Sequence, residues 1–518
     1  MPIEFLGTPR SIPSPRAFSP DFPDVQMGAE QFYRAQNYNI ILPVNTQNTC
    51  LSAKPAPERD FTIRIASPNE NSSQSPTPSQ AFRSDIIELS LASAPDFSYL
   101  YPTKIKLFPK TIHRTMKLFR RFTALMLAVT LSLTTFAAAA RDWAAVEVAD
   151  KAGATVKGIV YAGDEPLRGV AVSDGAEIVF TDAEGRYWLP TDKRSGSVFI
   201  TIPSGYEVSA DGVFPRFWAA LEAPAKEVER HDFALTKVDN DRHVMLAVTD
   251  IHLSNQNSDI EQFCTRFIPD VRAVAESFGD TPVYSLNMGD SAWDGYWYTN
   301  RYSLKDFRRT MNIVGYPAQM FCAMGNHDND GATIHSDSVD WAASAPYRRI
   351  IGPRYYSFNI GKVHYVVLDN LIYVNSPKKN SKDGIAGKRD YVRRVDSLQL
   401  DWLRRDLATV EDKSAPVVVA MHAATYRYNK FNDKVTAGLS DPAYSAELKA
   451  CFDGFEEVHY VSGHIHKNLL ARVDDRLIEH NIGAVCGSWW RTGANHFQML
   501  GPDAGPNGYA IFTIDGKR

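Results

Sequence analysis

Between residues 243 and 462 the chain carries six short, almost continuously apolar, β-rich runs, at 244–248, 283–288, 319–324, 364–368, 417–421 and 458–461. Amphipathic stretches lie between them, for example 260–278, 304–314 and 398–407. A run of this length that is apolar on successive residues reads as a strand buried on both faces, whereas a longer stretch with its apolar residues three and four apart reads as a helix packed on one side. Strands that alternate with helices build an α/β domain. This pattern excludes an all-β architecture or a helical bundle for this half of the chain.

Five of these runs end in residue types that serve as metal ligands. The first leads into Asp250-Ile251-His252, and the second into Gly289-Asp290-Ser291-Ala292-Trp293-Asp294. The third leads into Gly325-Asn326-His327-Asp328, the fourth into His422, and the fifth into Gly463-His464-Ile465-His466. In α/β sheets ligands gather at the carboxyl ends of the strands. Side chains two apart on an extended strand end point to one side, so Asp250 with His252, and His464 with His466, can each converge. Carboxylate, imidazole and amide donors without a cysteine suit divalent Mn, Fe, Zn or Co, and argue against a structural zinc knuckle or an iron–sulfur cluster. Seven donors exceed one tetrahedral site. They suit two ions that share a carboxylate, an arrangement used for in-line displacement at phosphorus. His364 and His459 lie inside strands and read as packed core residues; His243, His335, His480 and His496 have no supporting motif.

The remainder of the chain differs in texture. Residues 1–115 hold half of the 30 prolines and only two of the 31 glycines, Gly7 and Gly28, with no apolar periodicity; this reads as disordered linker or as an extension upstream of the true start. From Met116, Lys117, Arg120 and Arg121 precede an apolar stretch from Phe122 to Phe136 and then Ala137 to Ala140. That order is a secretory signal peptide over 116–140, shorter in its apolar part than a membrane span needs. The expected location is periplasmic or secreted, with no stable membrane span after cleavage. Of the five cysteines, Cys264, Cys322, Cys451 and Cys486 follow the leader, and they read as free thiols instead of a disulfide framework. With 56 basic and 60 acidic residues, no nucleic-acid-binding patch is evident.

Residues 152–236 are rich in short β runs divided by Gly163-Asp164, Asp174-Gly175 and Glu184-Gly185 turns, so a small all-β sandwich is expected ahead of the α/β domain. The stretch from Gly169 to Tyr187 resembles the transthyretin-like or carboxypeptidase-regulatory-like modules of exported bacterial proteins. It holds no catalytic constellation, which leaves a spacer, docking or carbohydrate-binding role.

The ordered set Asp-x-His, Gly-Asp-x-x-x-Asp, Gly-Asn-His-Asp, lone His and Gly-His-x-His resembles the calcineurin-like metallophosphoesterase superfamily, over roughly residues 242–490. With Gly487-Ser488-Trp489-Trp490, the chain is similar to an exported bacterial subgroup of three domains. The resemblance implies a four-layer α/β/β/α sandwich with mixed sheets. It implies that Asp250, His252, Asp290 and His466 hold one metal, that Asp290, Asn326, His422 and His464 hold the other, and that Asp290 bridges. It places His327 beside the scissile phosphate and Asp328 behind His327 as its orienting acid, with Asp294 structural. The implied activity is hydrolysis of a phosphate mono- or diester by a metal-bound hydroxide. The substrate would be a small phosphate ester or a glycan-linked phosphate, with Trp293, Tyr426 and Arg427 as contacts. The alternative is a catalytically inactive glycan- or surface-binding protein on the same fold. Residues 491–518 read as the start of a further, truncated β-domain.

Overall fold

The structure, a computed structural model, describes residues 141–375, 385–429, 431–491 and 500–518. The expected extension at 1–115, the leader at 116–140 and His496 lie outside the described residues.

The first folded part is the expected small sandwich. One sheet is built on Val156–Ala162, which pairs in parallel with Glu229–Arg230 and Phe233–Lys237 and antiparallel with Arg186–Leu189. The other runs Trp218–Ala220, Ser197–Ile200, Ala171–Ser173, Ile178–Phe180. Both sheets bury alternating apolar side chains, Val156, Val160, Val172 and Tyr187 among them, in a core continuous with that of the second part.

The α/β part contains two sheets face to face. In the first, β1 (Arg242–Val248), β2 (Val283–Asn287) and β3 (Gln319–Cys322) are parallel, in the order β3-β2-β1. The second contains β4 (Tyr356–Ile360), β5 (Val363–Val367), β6 (Val417–Ala420), β7 (Val458–Ser462), β8 (Leu469–Arg472) and β9 (Leu477–Asn481), in the order β4-β5-β6-β7-β9-β8. Its inner pairs are parallel and its outer pairs antiparallel. The alternation along β1 shows how the layers form. Val244, Leu246 and Val248 pack with Phe263, Phe267, Val271, Phe307 and Met311 of the helical segments that follow β1 and β2. Met245 and Ala247, on the opposite face, pack with Phe358, Tyr365 and Val419 of the second sheet. The helix Ser397–Ala408 closes the far side with Leu400, Trp402 and Leu403. The result is the expected α/β/β/α order with mixed sheets.

One feature differs from the sequence reading. The segment Ala510–Asp515, expected to open a separate β-domain, instead pairs antiparallel with β1 along six residues and forms the edge of the first sheet. Its Ile511 packs with the outer helical layer and Phe512 against the inter-sheet core, so burial on both faces holds it there. The sandwich, for which the sequence leaves a spacer, docking or carbohydrate-binding role open, covers an edge of the second sheet. Ile202 bridges to Phe358 of β4, Thr201 Oγ1 and Ser357 Oγ lie 2.9 Å apart, and Trp402 Nε1 donates to Ser173 Oγ at 3.1 Å. Covering β4 in this way removes an open strand edge from solvent.

Among the described residues no helix is long and apolar enough to cross a membrane. Among the described residues Cys264, Cys322, Cys451 and Cys486 are free, and Cys322 and Cys486 are buried.

Candidate metal centre and active site

The sequence pairs Asp250/His252 and His464/His466 do converge, but not as alternating residues of an extended strand. β1 ends at Val248 and β7 at Ser462, so both pairs lie beyond their strands. Asp250, His252, Asp290, His464 and His466 all adopt the left-handed backbone region, with φ of 52°, 49°, 55°, 73° and 56°. Non-glycine residues take up this conformation at a cost, and such residues concentrate where function demands a particular side-chain direction. The motif glycines allow the tight packing around them. A Cβ on Gly463 would collide with Thr249 Oγ1 and Asp250 Oδ2, and one on Gly325 with the Asp290 side chain.

The seven expected donors meet in one buried cluster. Asp290 Oδ2 lies 3.5 Å from His252 Nε2 and 3.1 Å from His422 Nε2. On one side of that oxygen, His252 Nε2 and His466 Nε2 are 3.2 Å apart, and Asp250 Oδ1 is 3.2 Å from His466 Nε2. On the other side, His422 Nε2 is 3.1 Å from Asn326 Oδ1 and 3.1 Å from His464 Nδ1. The second ring nitrogens of His422, His464 and His466 are engaged elsewhere, whereas the buried His252 Nδ1 has no hydrogen-bond partner among the described residues. His422 Nδ1 donates to the Met288 carbonyl at 2.7 Å, and His466 Nδ1 to that of Gly487 at 2.8 Å. His464 Nε2 faces the Tyr391 hydroxyl at 3.1 Å. Such hydrogen bonds fix the tautomer and aim the remaining lone pair inward.

These donors fit divalent cations. Lone-pair atoms this close repel one another unless a proton or a cation lies between them, and the buried Asp250 Oδ1 has no hydrogen-bond partner at all. The electrostatics agree. Burial alone would lower the His422 imidazole, but the Asp290 carboxylate outweighs it and holds it up to about 9. Burial likewise opposes, and Asp250 overcomes it, in holding His466 up to about 12. Burial takes His252 down to about 4, and burial together with the charge on His422 takes His464 down to about 3. The site thus retains positive charge against its two carboxylates. Cys486, absent from the expected donor set, lies behind the centre, with Sγ 3.7 Å from His466 Nδ1.

His327 stands beside the expected donors, and it lies close enough to His252 and Asp290 for ligand atoms of all three to fall within 4.8 Å of one another. Its backbone N–H donates to Asp290 Oδ1 at 2.8 Å, which turns the other carboxylate oxygen towards the ligands. Its Nδ1 is 2.7 Å from Asp294 Oδ1, not from Asp328. The expected orienting role of Asp328 is therefore corrected. Asp328 is buried and accepts the backbone N–H groups of Asp290, Ser291 and Gly325 at 2.9, 3.0 and 2.9 Å, which pins the two motif loops together. Burial and the adjacent Asp290 push its carboxyl up to about 7. Asp294, expected to be structural, orients His327 and also accepts from Arg389 at 2.6 Å. Burial would lower the His327 imidazole, yet Asp290 and Asp294 raise it above its ordinary value.

The expected substrate contacts divide. Trp293 lies at the centre, its ring 5.5 Å from that of His252 and 5.8 Å from that of His327. Arg427 is exposed and, among the described residues, has no acidic partner within salt-bridge distance. Tyr426 is corrected to a packing residue: its hydroxyl donates to the Ser445 carbonyl at 3.2 Å and its ring joins the core. Arg389 and Tyr391 went unnoticed in the sequence because they sit in a hairpin strand and its approach, far from any motif. Asp294 was visible as the last residue of the second motif, but spacing gave no indication of its partner.

Two family models match the chain, "N terminal of Calcineurin-like phosphoesterase" over residues 154–238 and "Calcineurin-like phosphoesterase" over residues 244–468. No curated protein matches it. Among solved structures it is similar to a dimetal phosphatase from Danio rerio, at 12% identity over 52% of this chain and 98% of that one, with a TM-score of 0.32. It is similar to a purple acid phosphatase from yellow lupin (Lupinus luteus) seeds, at 11% identity over 48% of this chain and 47% of that one, TM-score 0.31. A 5'-nucleotidase from Candida albicans aligns at 12% identity over 48% of this chain and 46% of that one, TM-score 0.28. The chain spans about half the length of the last two. The two family matches adjoin and take in both folded parts, with every ligand motif inside the second: the chain belongs to the calcineurin-like phosphoesterases, metal-dependent hydrolases of phosphoric esters.

Proposed function

We propose that this chain is an exported phosphoesterase that holds two divalent ions and hydrolyses a phosphate mono- or diester. The observation that carries the reading is the position of Asp290 Oδ2, one carboxylate oxygen placed between two donor sets at 3.5 and 3.1 Å. Asp250, His252 and His466 would complete one set; Asn326, His422 and His464 the other. Divalent ions held there supply charge neutralisation at the phosphoryl oxygens and a water acidified enough to attack near neutral pH.

The protein's own groups do the rest. Asp290 and Asp250 are held in their ionised form because the histidine charges around them outweigh burial. His327 has Nδ1 tied to Asp294, which leaves Nε2 for the substrate and keeps the ring protonated to higher pH than an ordinary imidazole. It is therefore placed to give a proton to the departing alkoxide. Trp293 and the left-handed turns keep the donors packed. Export rests on the leader-like order of residues 116–140, and the N-terminal peptide of the native protein, read by mass spectrometry, tests it. Phosphate release and p-nitrophenyl mono- and diester hydrolysis, measured on metal-stripped protein before and after Mn addition, test the activity. No turnover with metal restored would overturn it.

A further inference from the structure

Two tryptophans border the centre without belonging to any packed core. In the segment after Asp290, Trp297 is buried in the outer hydrophobic layer while Trp293 is half-buried at the cleft. In the segment after Gly487 the same division recurs. Trp490 is 1% exposed and its Nε1 donates to the Ile251 carbonyl at 2.8 Å, whereas Trp489 is half-buried and packs over the His466 ring at 4.7 Å. The ring centroids of Trp293 and Trp489 are 6.2 Å apart, with their planes tilted by 32°. That is an open angle, not a stack, and it lies on the His252–His466 side of the centre. Among the described residues neither indole N–H has a hydrogen-bond partner.

Trp489 is also held where it is at a conformational cost. It and Trp490 have φ of 54° and 61°. The turn is tied by Asn257 Nδ2 donating to the Trp489 carbonyl at 3.3 Å and by Gln262 Nε2 donating to that of Trp490 at 3.0 Å. Burying one tryptophan accounts for Trp490; it does not account for presenting the ring of Trp489 to the cleft. Strain of this kind, maintained by surrounding contacts, is characteristic of ligand-binding positions.

The position of His327 says which part of a substrate this wall meets. Hydrolysis forms a P–O bond to water and breaks the P–O bond to the alcohol, whose oxygen takes the proton from His327. The leaving alcohol therefore extends past His327, and the ring of Trp293 is 5.8 Å from that of His327. We infer that the enzyme selects phosphate esters whose leaving alcohol carries a ring, and that this ring lies on the indole faces of Trp293 and Trp489 with their free N–H groups available to its substituents. An indole face takes the C–H face of a sugar or a planar aromatic ring by the same stacking contact. This inference rests on the phosphoesterase reading above.

The experiment uses the full chain with Mn and two matched pairs of esters, each pair with similar leaving-group basicity. Benzyl phosphate is compared with hexyl phosphate, and a pyranose phosphate with its open-chain alditol phosphate. The wild type should favour the cyclic member of at least one pair by roughly tenfold in kcat/KM, the size of one good stacking contact; which pair shows it distinguishes an aromatic ring from a sugar. Trp489→Ala should collapse that ratio through KM, Trp489→Phe should restore part of it, and bound metal should stay at the wild-type level. Trp293→Leu gives a second reading if Trp489→Ala is poorly folded. Equal kcat/KM within both pairs, or a ratio unchanged in both variants, overturns the inference while turnover itself keeps the phosphoesterase reading. Absence of turnover on every ester overturns both.

Discussion

Asp294 Oδ1 lies 2.7 Å from His327 Nδ1, and its side chain is only 1% exposed. A buried carboxylate in that position favours the imidazolium form, so His327 stays protonated at a higher pH than a free histidine. For a step that needs the acid form, the rate holds up to the raised pKa and falls above it. Replacing Asp294 by Asn removes the charge and should move this descending limb to lower pH. Turnover of an alkyl phosphate should fall by about 10–100-fold, the usual effect of losing an outer partner of a site residue. pH–rate profiles of the two proteins decide it; coincident limbs would show that Asp294 does not tune His327.

His327→Ala should retain metal, since Asp250, His252 and His466 on one side of Asp290, and Asn326, His422 and His464 on the other, stay in place. Turnover of an alkyl ester should fall by ~10²–10⁴-fold, the range expected for a lost general acid. A p-nitrophenyl ester, whose leaving group departs without a proton, should lose less. Equal losses on both esters would assign His327 to phosphate binding in place of proton transfer.

The shared oxygen of Asp290 makes a different prediction. Asp290→Asn should lower metal content at both positions together, because its carboxylate reaches His252 and His422 alike. His252→Ala should mainly deplete one position. Metal analysis of the purified variants, set beside activity, is the check. Full occupancy and full activity in Asp290→Asn would exclude a bridging role.

Gly463→Ala tests the close approach of the fifth motif to the first. The added Cβ would meet Thr249 Oγ1 and Asp250 Oδ2, both on the loop that carries a donor. Asp250 Oδ2 presently accepts the His464 N–H at 2.8 Å, so the substitution should break this link and weaken metal binding while the sheets stay folded. Gly508→Ala, where a Cβ would meet nothing within 4 Å, is the control. Thermal unfolding and metal content together separate the two effects. A Gly463→Ala protein with normal metal affinity would show that the loop can give way.

Much of this molecule is readable from the order of its residues. Buried parallel strands need apolar side chains on both faces, so the runs at 244–248 or 458–461 can be recognised without knowing their partners. The expected donors follow directly because each sits within five residues of the end of such a run, at Asp250, Asp290, Asn326, His422, His464 and the rest. What could not be read was how they converge. Alternation along an extended strand predicts a shared direction for Asp250 and His252, but left-handed turns provide it, and residue type alone does not specify a positive φ for an aspartate or a histidine.

Pairings across long stretches of chain were also decided by the tertiary structure. The distance from Asp294 to His327 spans 33 positions, and from Asp294 to Arg389 it spans 95. No local spacing encodes which of two neighbouring acids, Asp294 or Asp328, faces the imidazole. The last strand makes the same point. Residues 510–515 carry a local preference for extended structure, which the sequence determined by itself. That this strand becomes the antiparallel edge of β1 depends on an open ladder and two apolar faces elsewhere in the chain, and only the folded sheet provides them.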